Sequence, residues 1–414
     1  MFALVDCNNF YVSCERAFNP RLEKKPVIIL SNNDGCIISR SNEAKKLGIP
    51  MGAPFYQWKL FCNRHQVHVF SSNYELYGDM SRRVMALLGE FNQEMEIYSI
   101  DEAFLWLQKN MTLQEMLFLR HKIKTCTGIP ISIGVGQTKT LAKAANQIAK
   151  TCSDSDIFFI YPAQQNIHLA TLPVERIWGI GHNLAKELKK LNIDTAKHLC
   201  DADLAMLRLN FSVSLEKTVR ELKGEPCLRL EKHQPRKRII SSRSFGKAVT
   251  DLVELEEAIS HYTNIAAEKL RKQQSVASAI YVFIQTNAFS NKQAQYGNGV
   301  MFSLPTPTAD TRYLVSIAKK CLRHIYKKGY RYHKTGVMLL DIHQHKIRQF
   351  DMFMEVIDQK GERVMQAMDT INAAMGKNTV FLAAEGIKRE WVIKCDKRSP
   401  RYTTRWQELP RVYC

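Results

Sequence analysis

Short apolar runs alternate with stretches of helical periodicity along this chain, which predicts a mixed α/β protein. The first apolar run covers residues 1–5 and ends in Asp6. Further runs predict strands over 27–30, 36–39 and 130–136, the last ending in glycines. Helical spacing marks 74–91 and 113–123, and Ser41 reads as the cap of a short helix ending at Gly48. A helix capped by Thr138 puts Leu141, Ala144, Ala145, Ile148 and Ala149 on one stripe and closes at Lys150. Ile97, Tyr98 and Ile100 lead into Asp101-Glu102, and residues 104–107 lead away, so the two acids are predicted near the tip of a tight hairpin. Asp-Glu lacks the positive-φ preference of a good hairpin turn, so something other than turn chemistry selects the pair. If the strand ending at Asp6 shares their sheet, three carboxylates converge. Clustered carboxylates resist joint ionisation unless a cation lies among them. Mg²⁺, which takes one or two carboxylates plus substrate phosphates, suits such a cluster.

Past residue 163 the pattern turns helical. Gly179-Ile-Gly181 opens a helix over 183–191, a helix-hairpin-helix pattern whose backbone N–H groups would approach a DNA phosphate without reading bases. The same pattern also serves as a plain helix corner. Pro235-Arg-Lys-Arg238 is a basic linker and a domain boundary. After it come strand (239–245), helix (251–272), two strands (279–286, 300–304), helix (311–326) and strand (335–342), a split βαββαβ order. Residues from Gly361 predict one helix, a short strand over 380–383, and a basic, aromatic tail with Arg401, Tyr402, Arg405 and Trp406.

Composition narrows the function. A length of 414 residues suggests two to four domains. Lys and Arg outnumber acids 59 to 40, and a net charge of +19 points to a polyanionic partner, with nucleic acid ahead of a membrane surface. No apolar run approaches the ~18 residues of a membrane span. The 11 cysteines include no Cys-x-x-Cys pair and read as reduced thiols, so the expected location is cytoplasmic.

Asp6-Cys-Asn-Asn-Phe-Tyr11 together with Ser99-Ile-Asp-Glu-Ala-Phe104 resembles the two catalytic motifs of the Y-family lesion-bypass DNA polymerases. Leu30-Ser-Asn-Asn-Asp-Gly35, Ser71-Ser-Asn-Tyr-Glu-Leu76, Arg220-Glu-Leu-Lys-Gly-Glu-Pro-Cys227 and Ser399-Pro-Arg-Tyr-Thr-Thr-Arg405 extend the likeness to that family's UmuC-like bacterial branch. The resemblance implies a multidomain α/β right hand: palm at 1–18 and 73–163, fingers at 19–72, helical thumb at 164–234, little finger at 235–345, and a C-terminal partner-binding region at 346–414. It implies error-prone, template-directed synthesis on damaged DNA in the SOS response, with two Mg²⁺ ions and dNTP substrates. Asp6 and Asp101 would bridge both ions, Glu102 would serve mainly the catalytic one, and the Cys7 carbonyl would complete the shell. Tyr11 would be the steric gate against a 2′-OH, with Phe10 beside it, although Phe10 also reads as a core aromatic. Cys36 and Ile38 would lie over the nascent base pair, and Ser39, Lys45 and Lys150 would reach the triphosphate. Lys150 also reads as ordinary compensation of a helix dipole. Lys45 stands where many members carry Arg, and lacks its bidentate fork. Gly179, Gly181, Arg243, Lys247, Arg331 and Lys334 would contact DNA. Gln349-Phe-Asp-Met-Phe353 resembles a sliding-clamp-binding pentapeptide, with Phe350 and Met352 in place of leucines. The implied partners are primer-template DNA, a UmuD′ homodimer, a RecA filament and the β sliding clamp, with no membrane, in the bacterial cytoplasm at the nucleoid. Two other functions fit the residues: a clamp-tethered DNA-binding protein without chemistry, and a palm-type cyclase.

Overall fold

The computed structural model describes residues 1–108, 111–152, 155–231, 234–290, 293–344, 359–389, 391 and 394–409. It divides into two compact units, residues 1–233 with 396–414, and residues 234–395.

The first unit opens with β1 (Phe2–Cys7) and α1 (Phe10–Phe18), so Phe10 and Tyr11 belong to the first helical turn rather than to a loop after the strand. Next come β2 (Val27–Leu30), β3 (Ile37–Arg40), α2 (Asn42–Lys46), α3 (Phe55–Arg64) and β4 (His68–Ser71), which form a three-stranded sheet of order β3-β2-β4 with its own small core. The chain then runs through α4 (Tyr74–Phe91), β5 (Met95–Ile97), β6 (Glu102–Trp106), α5 (Leu113–Thr127), β7 (Ile131–Gly136), α6 (Lys139–Cys152) and β8 (Ile157–Phe159). These strands build a five-stranded sheet of order β5-β6-β1-β7-β8. All six residues of β1 are buried, as its central place demands.

Helix α6 lies directly on β7. A Cβ on Gly134 would stand 2.1 Å from the Asn146 nitrogen, and one on Gly136 2.7 Å from the Leu141 Cβ. The glycines therefore serve the approach of a helix bearing three lysines, not merely a turn after the strand. Thr138 caps that helix by accepting from the Leu141 N–H at 3.2 Å. Five further helices follow: α7 (Gln165–Thr171), α8 (His182–Lys190), α9 (Ala196–Asp201), α10 (Leu204–Asn210) and α11 (Val213–Leu222).

The second unit contains β9 (Ile239–Val249), α12 (Leu252–Lys272), β10 (Ser275–Thr286), β11 (Gly297–Thr308), α13 (Thr311–Ile325) and β12 (Tyr332–Gln344). Its antiparallel sheet has the order β11-β10-β12-β9, so each βαβ unit brackets a strand of the other. One stripe of each helix forms the core: Leu255, Ile259, Tyr262, Ala266 and Leu270 from α12 pack with Leu314, Ile317, Cys321 and Ile325 from α13. Helix α14 (Gln359–Met375) follows. The strand predicted over 380–383 does not form. Asn372 instead clasps the Val380 main chain at 2.8 and 2.9 Å, and Ala383–Glu385 is a 3₁₀ turn.

Candidate active site

Strand register builds the site. β1 and β6 pair antiparallel with Asp6 directly opposite Glu102, and the Cys7 N–H donates to the Asp101 carbonyl at 2.8 Å. The three predicted acids thus meet at one end of the central strand pair. Ser99 explains why Asp-Glu is tolerated there: its hydroxyl accepts from the Asp101 and Glu102 N–H groups at 3.3 and 3.1 Å and donates to Asp101 Oδ1 at 2.6 Å. The turn is therefore a side-chain-braced one that needs no residue with positive φ among the acids.

Electrostatics at this end are tense. Burial pushes the Asp6 carboxyl up to about 7, with Glu102 adding to the rise and Lys150 opposing it. Lys150 Nζ lies 2.7 Å from Asp6 Oδ1. Lys143 Nζ lies 3.1 and 2.9 Å from the two Glu102 oxygens. The same ammonium sits 4.5 Å from the centre of the Tyr98 ring and 5.4 Å from that of Trp178, and the Trp178 indole donates to the Tyr98 hydroxyl at 3.1 Å. Lys143 was not singled out from the sequence. Its spacing of seven from Lys150, two turns along the same helix, was the available signal. The Asp101 side chain is turned to Ser99, and among the described residues no three His, Cys, Asp or Glu side chains stand ready as a metal cluster. The donor set still fits a hard divalent cation: two crowded carboxylates demand positive charge, a third is adjacent, and all offer oxygen.

Tyr11 and Lys45 lie near this end, Tyr11 feeling the Asp101 charge and Lys45 that of Asp6. Tyr11 is half-buried, stacked on Tyr77 with centroids 4.6 Å apart and met edge-on by Tyr74 at 6.0 Å. Phe10 is only 3% exposed and belongs to the hydrophobic core, leaving Tyr11 as the accessible ring. Cys36 and Ile38 are half-buried, and Ser39 is buried opposite Ile29 in the small sheet. Lys45 has its ammonium pushed below the usual range by burial, then by Arg40 and Lys150, with Asp6 opposing, so these four groups share one neighbourhood. Arg40, whose guanidinium donates to the Ile49 carbonyl, was also missed by the sequence reading.

Gly179 adopts φ +86 just before α8, where a side chain would be strained, and Gly181 caps that helix. Trp178, the residue before this turn, packs into a small cluster with Phe2, Leu4, Phe104 and Ala142. In the second unit the four predicted DNA contacts separate. Lys334 faces Ser244 in the register and lies 5.9 Å from the Phe283 ring centre. Arg243, opposite buried Thr335, bonds the Ser242 carbonyl and bears electrostatically on Tyr262 and Lys269 of α12, the helix-covered face. Lys247 is exposed late in β9, and Arg331 is exposed just ahead of β12. Gln349, Phe350, Met352 and Phe353 lie outside the described residues. Among the described residues no helix is long and apolar enough to cross a membrane.

The chain resembles known proteins over its whole length. The impB/mucB/samB family matches residues 5–147, the C-terminal domain of that family matches 236–352, and a domain of unknown function, DUF4113, matches 362–412. The chain is 43% identical over 421 residues to Protein UmuC of Salmonella typhimurium strain LT2, covering all of both chains. It is 38% identical to Protein MucB of Escherichia coli over 99% of each, and 25% identical to DNA polymerase IV 1 of Bacillus subtilis over 93% of each. Among solved structures, a Y-family DNA polymerase chimera of Dbh and Dpo4 aligns with TM-score 0.67 at 21% identity, covering 83% of this chain and 100% of that one. An insertion ternary complex of Dbh DNA polymerase aligns with TM-score 0.55 at 20% identity over the same shares.

Proposed function

The chain belongs to the impB/mucB/samB family and is a UmuC-like Y-family DNA polymerase, and from that premise we propose how its residues divide the work of copying damaged DNA. We assign the palm to 1–18 and 73–163, the fingers to 19–72, the thumb to 164–234, the little finger to 235–345 and a partner-binding region to 346–414. Asp6, Asp101, Glu102 and the Cys7 carbonyl would hold two Mg²⁺ ions, which when bound would acidify the primer 3′-OH and neutralise the leaving pyrophosphate. Tyr11 selects a deoxyribose by offering no room for a 2′-OH. Lys150 exchanges Asp6 for the triphosphate when substrate arrives, joined by Lys45 and Ser39. Cys36 and Ile38 cover the nascent pair with small side chains, a loose lid that suits an error-prone enzyme. The turn at Gly179 and Gly181 holds duplex phosphates independently of sequence. A UmuD′ homodimer, a RecA filament and the β sliding clamp are the proposed partners, the last through Gln349–Phe353.

The single observation carrying this reading is the register that sets Asp6 opposite Glu102 with Asp101 adjacent. Positioning and charge neutralisation supply most of the rate in such chemistry. Extension of a primer across an abasic template site, with Mg²⁺ and with or without UmuD′ and activated RecA, tests it. Asp101→Asn is expected to lose about 10³-fold in rate, several kcal/mol of transition-state stabilisation. Retention of wild-type extension would overturn the assignment.

A further inference from the structure

Residues 396–409 return to the catalytic unit after the chain has passed through the second one. There they meet the junction between β4 and α4. The Ser71 N–H donates to the Lys397 carbonyl at 3.1 Å, and the Lys397 N–H donates to Ser71 Oγ at 3.0 Å. Asn73, which caps α4 by accepting from the Leu76 N–H, uses its amide to donate to the Ser399 carbonyl, Ser399 Oγ and the Pro400 carbonyl at 3.0, 3.0 and 3.1 Å. Arg401 pairs with Glu408 at 2.6 Å and with Glu75 at 3.3 Å, and the Tyr402 ring stacks on Phe18, the last residue of α1, at 4.8 Å. One end of each tyrosine-bearing helix, the N-terminus of α4 and the C-terminus of α1, is therefore gripped.

The centre of this contact leads to the active site. Glu15, buried on α1 one turn after Tyr11, shares its Oε1 between two donors, the Tyr77 hydroxyl at 2.7 Å and Ser399 Oγ at 2.9 Å. Tyr77 has no exposed surface, and its ring is the floor on which Tyr11 stacks, with an angle of 16° between planes. We propose that the 396–409 segment is a positioning strap for the sugar gate: Ser399 fixes Glu15, Glu15 fixes Tyr77, and Tyr77 fixes the Tyr11 ring. This gives the C-terminal part of the domain of unknown function a role in substrate selection, and it rests on reading Tyr11 as the gate.

The test is the ratio of kcat/KM for dNTP to that for the matching ribonucleotide, measured on the full chain. Tyr11→Ala tests the gate alone. Ser399→Ala is expected to lower the ratio about fivefold, equivalent to about 1 kcal/mol of misplaced discrimination, with dNTP incorporation within about twofold of wild type. Ser399→Thr, which keeps the hydroxyl, should restore the ratio. In a Tyr11→Ala background Ser399→Ala should change nothing further, because its effect passes through the ring. Tyr77→Phe, which keeps the ring but loses the link to Glu15, should reproduce the Ser399→Ala ratio and carries the test if Ser399→Ala does not fold. If Tyr11→Ala lowers the ratio while Ser399→Ala and Tyr77→Phe leave it unchanged, or if the Ser399→Ala and Tyr11→Ala effects multiply, the strap is overturned and the gate stands. If Tyr11→Ala itself leaves the ratio unchanged, the gate reading fails and the strap with it.

Discussion

At the scale of single residues, the acids were legible and so was Lys150, but Lys143, the counter-ion of Glu102, was not. An acid pair in an apolar hairpin breaks a pattern, so Asp101 and Glu102 stand out. Lys143 breaks none, because a lysine on a helix is usually solvated, and only the fold brings it to Glu102. Its ammonium competes with any divalent cation for that carboxylate. A part-buried pair of this kind contributes about 0.2–1 kcal/mol. Lys143→Met should therefore lower the Mg²⁺ concentration giving half-maximal extension by about 1.5- to 5-fold, while the maximal rate falls because Glu102 loses its fixed orientation. A metal titration of extension rate reads both effects, and an unchanged midpoint would show that Lys143 does not compete. Glu15 makes a different prediction. Burial raises its carboxyl above the usual range despite the hydrogen bonds from Tyr77 and Ser399, which pull it down. The folded state then binds the proton more tightly than the unfolded chain, so its charge costs stability at neutral pH, and that cost fades as pH falls toward 4.5. Glu15→Gln removes the titration. Urea midpoints of wild type and Glu15→Gln should converge as pH drops from 8 to about 5, the wild type gaining relative to the variant; parallel curves would contradict the assigned shift.

Among elements, those with a strong period, a continuous apolar run or a clear cap were predicted to within a few residues, the four-residue strands β2 and β3 included. Helix α4 and the β9-to-β12 succession carry enough turns or alternations to declare themselves. Helix α3 and β4 do not: α3 buries only Phe55 and Cys62, and β4 is a four-residue edge of the small sheet, so neither leaves a stripe. The strand expected over 380–383 failed for a related reason, since among the described residues no strand lies beside this brief apolar run to offer a ladder. Glycine in β7 has a meaning that the strand pattern does not carry: Gly134 and Gly136 close an apolar run, and they are where α6 touches the sheet. Gly134→Ala would drive a methyl into the α6 backbone, and overpacking of that kind costs about 3 kcal/mol or more. Because α6 carries both Lys143 and Lys150, that variant should lose activity together with stability. Lower urea midpoint and lower dNTP affinity should appear in one protein. A destabilised variant with unchanged KM would show that the helix position is not coupled to the site.

For the whole molecule, the excess of positive charge predicted the partner class but not where the charge acts. Nonspecific DNA affinity should fall steeply with salt, by about 10³-fold or more between 50 and 200 mM if six or more phosphates are neutralised. The C-terminal stretch proposed as a partner-binding region is shared between the two units: α14 and Glu385 pack on the second unit, where Arg271 grips Asp369 at 2.6 and 2.8 Å and His261 meets Glu385 at 2.7 Å, while 396–409 belongs to the first. Sequence spacing cannot reveal such a division, since both halves are short and their partners lie 98 or more residues away. The same limit applies to the little-finger sheet. Basic residues in β9 and β12 all look like phosphate contacts from sequence, but alternation sends neighbouring side chains to opposite faces. Lys334 lies beside Phe283, whereas Arg243 faces α12. Lys334→Ala should weaken binding uniformly across DNA sequences and reduce the slope of log affinity against log salt by about one. Arg243→Ala should leave that slope unchanged and shift stability instead, because its guanidinium is engaged with the Ser242 carbonyl on the covered face. Equal loss of slope in the two variants, read by fluorescence anisotropy over a salt series, would mean that DNA reaches Arg243 as well as the face that carries Lys334, and would overturn the division of the two residues.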